Sequence, residues 1–355
     1  MEFPARPPVT RKTAAPVALL AVLLLSACGG AGGIGGVVQP SPAPPAHASW
    51  SSAGNMSFDL WDSPNGASFQ CSSNDICWVA TDGNGGKLIA FDGQYTYGHY
   101  LPESEQAAGP DGNYPWLTSS TLACPGDDYC ITADNRGYTM VFAGDASSNQ
   151  HLGTPRQVDP SGSPVTVGCT SKESCFAVAR NAQQYFRLQL GNTWSPAPLP
   201  GFATAESGYP RISCTPGLCV LLYAHRVSTY NGKRWSPTVT LPALAKGEAY
   251  AIGCSHTFCL ASSSSATWIY EAGHWSRDRH PGARVDKAMV GCSPTSNWCL
   301  VVSPNDEYQI FSNGRYSTPK AIPTGEDITG VSCPDLCRVL DRSNQMLQLG
   351  PSKSS

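Results

Sequence analysis

The sequence predicts an all-β fold, a seven-bladed β-propeller with four strands in each blade. Three observations carry this. Fourteen of the fifteen cysteines fall into seven close pairs whose first members recur every 38 to 53 residues. Each pair lies between two short apolar runs, and a third run ending in Gly follows every pair. A period of roughly 40 to 50 residues containing four strand-length segments suits one propeller blade.

The pairs are Cys71/Cys77, Cys124/Cys130, Cys169/Cys175, Cys214/Cys219, Cys254/Cys259, Cys292/Cys299 and Cys333/Cys337. Ahead of the first Cys stand TLAC, TVGC, RISC, AIGC, MVGC and GVSC, and after the second stand WVAT, FAVA, VLLY, LVVS and RVLD. Turn residues such as PGDDY and PDL separate them, so the two runs read as a hairpin. The third run appears as LIAFDG, TMVFAG, RLQLG, VSTYNG, WIYEAG, YQIFSNG and MLQLG. Its Asp-Gly and Asn-Gly dipeptides suit turns that need positive φ. A fourth strand then opens on an aromatic at Tyr95, Trp194, Trp235, Trp275 and Tyr316, with none in the second repeat.

The seventh repeat runs into Ser355 with no room for a fourth strand. Trp50-Ser51 matches the Trp-Ser of TWSPAP, RWSPTV and HWSRDR, so the N-terminal strand is expected to complete the last blade. That closes the ring and removes the free sheet edge.

Two cysteines that flank a short antiparallel turn face each other at a separation a disulfide accepts. Spacings of three to six intervening residues do not follow zinc-ribbon patterns, and no H-E-x-x-H, P-loop or G-x-S-x-G motif is present. One disulfide within each repeat is therefore expected. No metal, cofactor or catalytic residue is assigned from the sequence.

Ahead of the repeats, Arg6, Arg11 and Lys12 precede an apolar stretch from Ala14 to Leu25 that is short for a membrane span. It ends in Leu25-Ser26-Ala27-Cys28, which resembles a bacterial lipobox. The resemblance implies a signal peptide over 1–27 and a diacylglycerol on Cys28. Residues 28–48, Gly-rich and then Pro-rich, read as a lipidated tether, and 49–355 as the propeller domain. The location expected is the extracytoplasmic face of the cell membrane, where thiols oxidise.

The formal net charge is −3, without a Lys/Arg run, so nucleic acid is not an expected partner. The membrane is reached through the acyl chains, and a monomer is expected.

Residues 49–350 as a whole resemble secreted bacterial propellers of the sialidase-repeat and YVTN-like superfamily, on the repeat S-C-x(3–6)-C-x-A/V-V. That resemblance places ligands on the face formed by the loops from second to third strand and from one blade to the next. Asp82, Asp134, Arg136, Arg180, Arg226, Asp306 and Arg342 fall in the first set of loops, and Trp116 in the long loop after blade one. Such residues form a rim for a polar ligand, although Asp and Asn also occupy turns for backbone reasons alone. The Asp-box of sialidases is not found, since the corresponding turns read FDGQY, YNGKRW, EAGHW and SNGRY. The function expected is binding or scaffolding of an envelope glycan, peptide or protein; the alternative is a carbohydrate-active hydrolase or lyase.

Overall fold

A computed structural model describes residues 48–56, 67–73, 75–81, 87–92, 94–100, 121–134, 137–144, 153–163, 165–180, 184–189, 193–199, 201–202, 210–241, 251–263, 266–278, 289–303 and 306–351. These form seven antiparallel sheets, one to a repeat; six are built outward from the ring's centre in chain order, and the seventh takes its outermost strand from the N-terminal end. Blade three is representative. Val165–Ser171 lies innermost, followed by Ser174–Ala179, Gln184–Gln189 and Thr193–Pro198. In blade six the outer position is split between Arg315–Tyr316 and Lys320–Ala321, both paired with Glu307–Ser312.

The ring closes as the sequence predicts. Ala48–Asn55 pairs antiparallel with Gln345–Pro351, Trp50 opposite Leu349, and becomes the outermost strand of blade seven.

All seven expected disulfides are present, with Cα atoms 3.9 to 4.1 Å apart. The two cysteines of a pair are not equivalent. The second of each, Cys77, Cys130, Cys175, Cys219, Cys259, Cys299 and Cys337, has 0% exposure. These seven are core residues. The physical reason is their place on the second strand of the blade, which is covered on both edges by its own sheet and on both faces by neighbouring blades. Cys130 thus packs with Trp78 and Phe142, Cys175 with Val167 and Ile131, and Cys337 with Trp298 and Leu349, each in a cluster that joins two blades.

The disulfides belong to transverse rows that cross each blade. In blade four Cys214 faces Cys219, Cys219 faces Tyr230, and Tyr230 bridges Trp235. In blade five the row is Cys254, Cys259, Tyr270 and Trp275. In blade six it is Cys292, Cys299, Phe311 and Tyr316. Cys130 faces Phe142 in blade two, and Cys337 faces Leu349 in blade seven. Residues directly opposite on neighbouring strands project from the same sheet face. Each disulfide and its row neighbours therefore make one surface, turned toward the preceding blade.

Blade one departs from the expected pattern. The residue opposite Phe91 is Thr96, while Tyr95 lies in the turn and is 56% exposed. The cause is hairpin length. Ala272-Gly273 turns blade five in two residues, placing the aromatic two positions after Gly. In blade one Phe91 pairs with Thr96, three positions after Gly93, and Asp92 Oδ1 accepts the N–H groups of Gln94 and Tyr95.

What the preceding blade presents to this row follows from its own register. The residue after its second Cys points the other way and packs on the next row: Trp78 on Phe142 at 4.6 Å, and Phe176 on Tyr230 at 4.5 Å. Where the residue before its first Cys is Gly, the next disulfide sits against it. A Cβ on Gly253 would stand 2.6 Å from Val290 Cγ1 and 2.8 Å from Cys292 Sγ. Gly253→Val is expected to cost about 3 kcal/mol by overpacking. The measurement is a lower urea midpoint at constant m-value; an unchanged midpoint would show that the seam yields without cost.

Fourth-strand aromatics reach the third strand of the preceding blade. Trp194 Nε1 donates to Thr139 Oγ1 at 2.9 Å, Tyr316 OH to Thr267 Oγ1 at 3.2 Å, and Trp50 meets Tyr308 edge-on at 5.2 Å. Burial pushes the Tyr316 hydroxyl up to about 12, so it stays a donor at neutral pH.

Candidate functional site

The seven innermost strands surround a central channel whose hairpin-side end opens into a cavity of about 350 Å³. Every blade contributes its first Cys to the wall, and none contributes its second. The short Cα separations mark these as the non-hydrogen-bonded type of antiparallel pair, in which the inner residue turns its N–H and C=O away from its partner strand. On the innermost strand that direction is the channel side. Three of these N–H groups are capped by the preceding blade: Cys71 by Ser332 Oγ at 2.8 Å, Cys124 by Gln70 Oε1 at 3.0 Å, and Cys254 by Ser213 Oγ at 3.0 Å. Where the capping position is Gly168, Gly253 or Gly291, a sulfur of the next disulfide lies close to where a Cβ would stand.

Among the described residues no Asp, Glu, Lys, Arg or His lines this cavity. Its polar groups are hydroxyls, one amide and main chain, including Ser72, Thr170, Thr215 and Thr295. Charge sits outside it, in a belt of hairpin turns bonded blade to blade. Ser72 Oγ donates to Asp127 Oδ1 at 2.7 Å, and Thr295 Oγ1 to Asp335 Oδ1 at 3.0 Å. Lys172 pairs with Asp128 and holds its carboxyl below the ordinary carboxylate range.

The rim residues singled out in the sequence that are among the described ones lie toward the other end of the blades. Asp82, Trp116 and Arg136 fall outside the described residues, as does Cys28. Asp134 caps its own turn, its Oδ1 accepting Tyr138 N–H at 2.8 Å. Four residues after the second Cys, the same place in other blades is held by Ser263, Ser303 and Asp341, whose side chains accept Ala266, Glu307 and Gln345 N–H. For these positions the backbone reading of the turn is the one observed.

The remaining rim residues are dispersed. Arg180 is exposed at the end of its strand. Arg226 donates to Gly201 O at 2.8 Å, tying the loop between blades three and four. Arg342 pairs with Asp327 at 3.3 Å in an exposed salt bridge of small energetic weight.

Asp306 adopts φ 53°. Burial raises its carboxyl pKa, an N–H bond from Ile328 opposes that, and the charges of Asp327 and Asp341 raise it further. A carboxyl whose folded pKa is raised adds stability below its unfolded pKa and loses it as pH rises through the folded value. Asp306→Asn keeps a side chain that tolerates positive φ. It is expected to melt higher than the parent at pH 7, with the gap closing near about pH 4. Parallel melting curves at the two pH values check this; a gap independent of pH would remove the electrostatic cause.

The channel end was missed in the sequence, yet it leaves a signal. The residue before the first Cys is Gln70, Ala123, Gly168, Ser213, Gly253, Gly291 or Ser332, always small or able to cap. Among the described residues no group of three or more His, Cys, Asp or Glu is placed to hold a metal ion.

No protein-family model and no curated protein matches the sequence. Solved structures do match. The fold is that of two lyases. A streptogramin B lyase aligns at TM-score 0.62 and 12% identity, over 85% of this chain and 97% of its own. Virginiamycin B lyase from Staphylococcus aureus, in a catalytically inactive form with quinupristin, aligns at 0.63 and 9% identity, over 85% and 99%. A selenomethionine-substituted form of the same enzyme gives 0.63 and 10%, over the same shares. At these identities the likeness is one of fold, a seven-bladed propeller.

Proposed function

We propose that this chain is a lipid-anchored binding propeller on the extracytoplasmic face of the membrane, and that its ligand is an envelope glycan. The observation that carries the ligand class is the channel end, about 350 Å³ in volume and lined among the described residues by hydroxyl, amide and main-chain groups with no charged side chain. Uncharged donors and acceptors around a concave site suit the hydroxyls of a saccharide. Anchoring is supported by the leader ahead of Leu25-Ser26-Ala27-Cys28 and by cysteine usage. The other fourteen cysteines are all paired, which leaves Cys28 no thiol in this chain to bond with. The secreted sialidase-repeat resemblance belongs to the same reading.

Co-sedimentation of the full chain with insoluble envelope glycan is expected to saturate and to be competed by neutral oligosaccharide. Thr295→Arg, at an exposed position on the channel wall, is expected to abolish it. Deletion of 101–120, the long connection after blade one in the sequence, is a separate test of that loop. Saturable binding to envelope peptides or proteins alone would overturn the glycan assignment. Cys28→Ala is expected to move the protein out of the membrane fraction.

A second reading, a lyase or carbohydrate-active hydrolase, is favoured by the fold shared with the two lyases over 85% of this chain. Incubation with quinupristin and a glycan panel decides it, and absence of turnover across the panel rejects it.

A further inference from the structure

Six of the seven seams between blades present an apolar side chain to the next blade from the position after the second Cys. These are Trp78, Ile131, Phe176, Val220, Leu260 and Leu300, all at 0% exposure. The seventh presents Arg338, which is 5% exposed and donates from Nη1 to Cys77 Sγ at 3.1 Å, while Nε and Nη2 donate to Gln348 Oε1. One disulfide of seven, Cys71–Cys77, thus carries a guanidinium on one of its sulfurs, at the seam where the last blade meets the first.

The two sulfurs of that bond differ in access. Cys71 lies on the wall of the channel cavity, whereas Cys77 has no exposed surface. A thiolate entering the channel meets Cys71 first, and the sulfur it would expel is the one held by Arg338. A guanidinium stays protonated across the accessible pH range. A cation hydrogen-bonded to a leaving thiolate stabilises the reduced state and speeds departure.

We propose that Cys71–Cys77 is a thiol-exchange site, opened from the channel by a dithiol, with Arg338 as its positioning residue. In the first step the dithiol's thiolate bonds to Cys71 Sγ. The Cys71–Cys77 bond breaks, and its electron pair remains on Cys77 Sγ beside Arg338. In the second, the dithiol's other thiolate attacks its partner sulfur in the mixed disulfide, and Cys71 leaves as a thiolate. The dithiol departs as a disulfide, oxidised by two electrons; Cys71 and Cys77 gain them, and the protons exchange with solvent.

Exposure alone makes the opposite forecast, because Cys214 and Cys292 are half-buried whereas Cys71 is 4% exposed. The full chain is titrated with dithiothreitol, alkylated and peptide-mapped. Cys71 and Cys77 are expected to be labelled at the lowest dithiothreitol concentration. Glutathione in limiting amount is expected to leave its adduct on Cys71 with Cys77 free. Arg338→Met is expected to raise the dithiothreitol required for this bond about tenfold, into the range of the other six. Arg338→Lys, which keeps a cation there, is expected to retain first opening. Opening of Cys214–Cys219 or Cys292–Cys299 first, or an adduct on Cys77, overturns the proposal. So does an Arg338→Met protein that opens at the parental concentration. The labelling order and adduct position in the unaltered chain decide the matter if that variant does not fold.

Discussion

Complete reduction is expected to unfold this protein without any denaturant. A disulfide closing a loop of about six residues contributes roughly 2 kcal/mol in the chain-entropy treatment, so seven contribute about 15 kcal/mol together. Net stabilities of folded domains lie at about 5–15 kcal/mol. The pairs do more than constrain the unfolded chain, because each sits in the row that the preceding blade packs on, and every second Cys of a pair has 0% exposure. Far-UV circular dichroism and tryptophan fluorescence after reduction and alkylation are expected to show loss of the folded signal at 25 °C. A cooperative melt retained within a few degrees of the oxidised protein would mean that apolar packing alone suffices.

The next largest effect is expected at Phe176. It has 0% exposure and receives ring contacts from Tyr230 at 4.5 Å, Trp235 at 5.6 Å and Tyr185 at 5.8 Å. Phe176→Ala removes the body of the seam between blades three and four while the aromatics around it stay. Truncating a buried Phe costs about 3–5 kcal/mol, and the loss of its edge contacts places this site at the upper end. Chemical denaturation of the oxidised protein tests the figure; a loss under about 1 kcal/mol would show that Tyr230 and Trp235 collapse into the gap.

The ring was legible because its determinants are local and repeated. Fourteen cysteines at a fixed place in each hairpin give blade count and pairing together, and Trp50 gives the closure. What spacing does not carry is the asymmetry within a pair. Cys130, Cys175 and Cys337 look no different in the sequence from Cys124, Cys169 and Cys333, yet only the latter three line the channel. Position after Gly93 does not separate Tyr95 from Thr96 as the residue opposite Phe91, because the hairpin's length depends on Asp92 capping two N–H groups. The rim was less legible. Asp134 reads equally as a ligand-binding carboxylate or a turn cap, and only the bond from Tyr138 separates them. Arg338 was visible in RVLD, where WVAT, FAVA, VLLY and LVVS carry an apolar residue. Its meaning depends on Cys77, which lies 261 positions away in the chain and is adjacent only once the ring is formed.

The pairing of Ala48–Asn55 with Gln345–Pro351 also sets a timetable. In the exported, lipid-anchored form proposed above, the first strand to cross the membrane has no partner until nearly all of the remaining chain has followed. Through that interval it is an unpaired edge held close to the bilayer by its own leader. Blades one to six complete their hairpins from neighbouring sequence, whereas the seventh requires a contact spanning roughly 300 residues, the slow kind of loop closure. Final assembly therefore waits on Gln345–Pro351, and loss of that strand is expected to strand the N-terminal segment rather than merely shorten a blade.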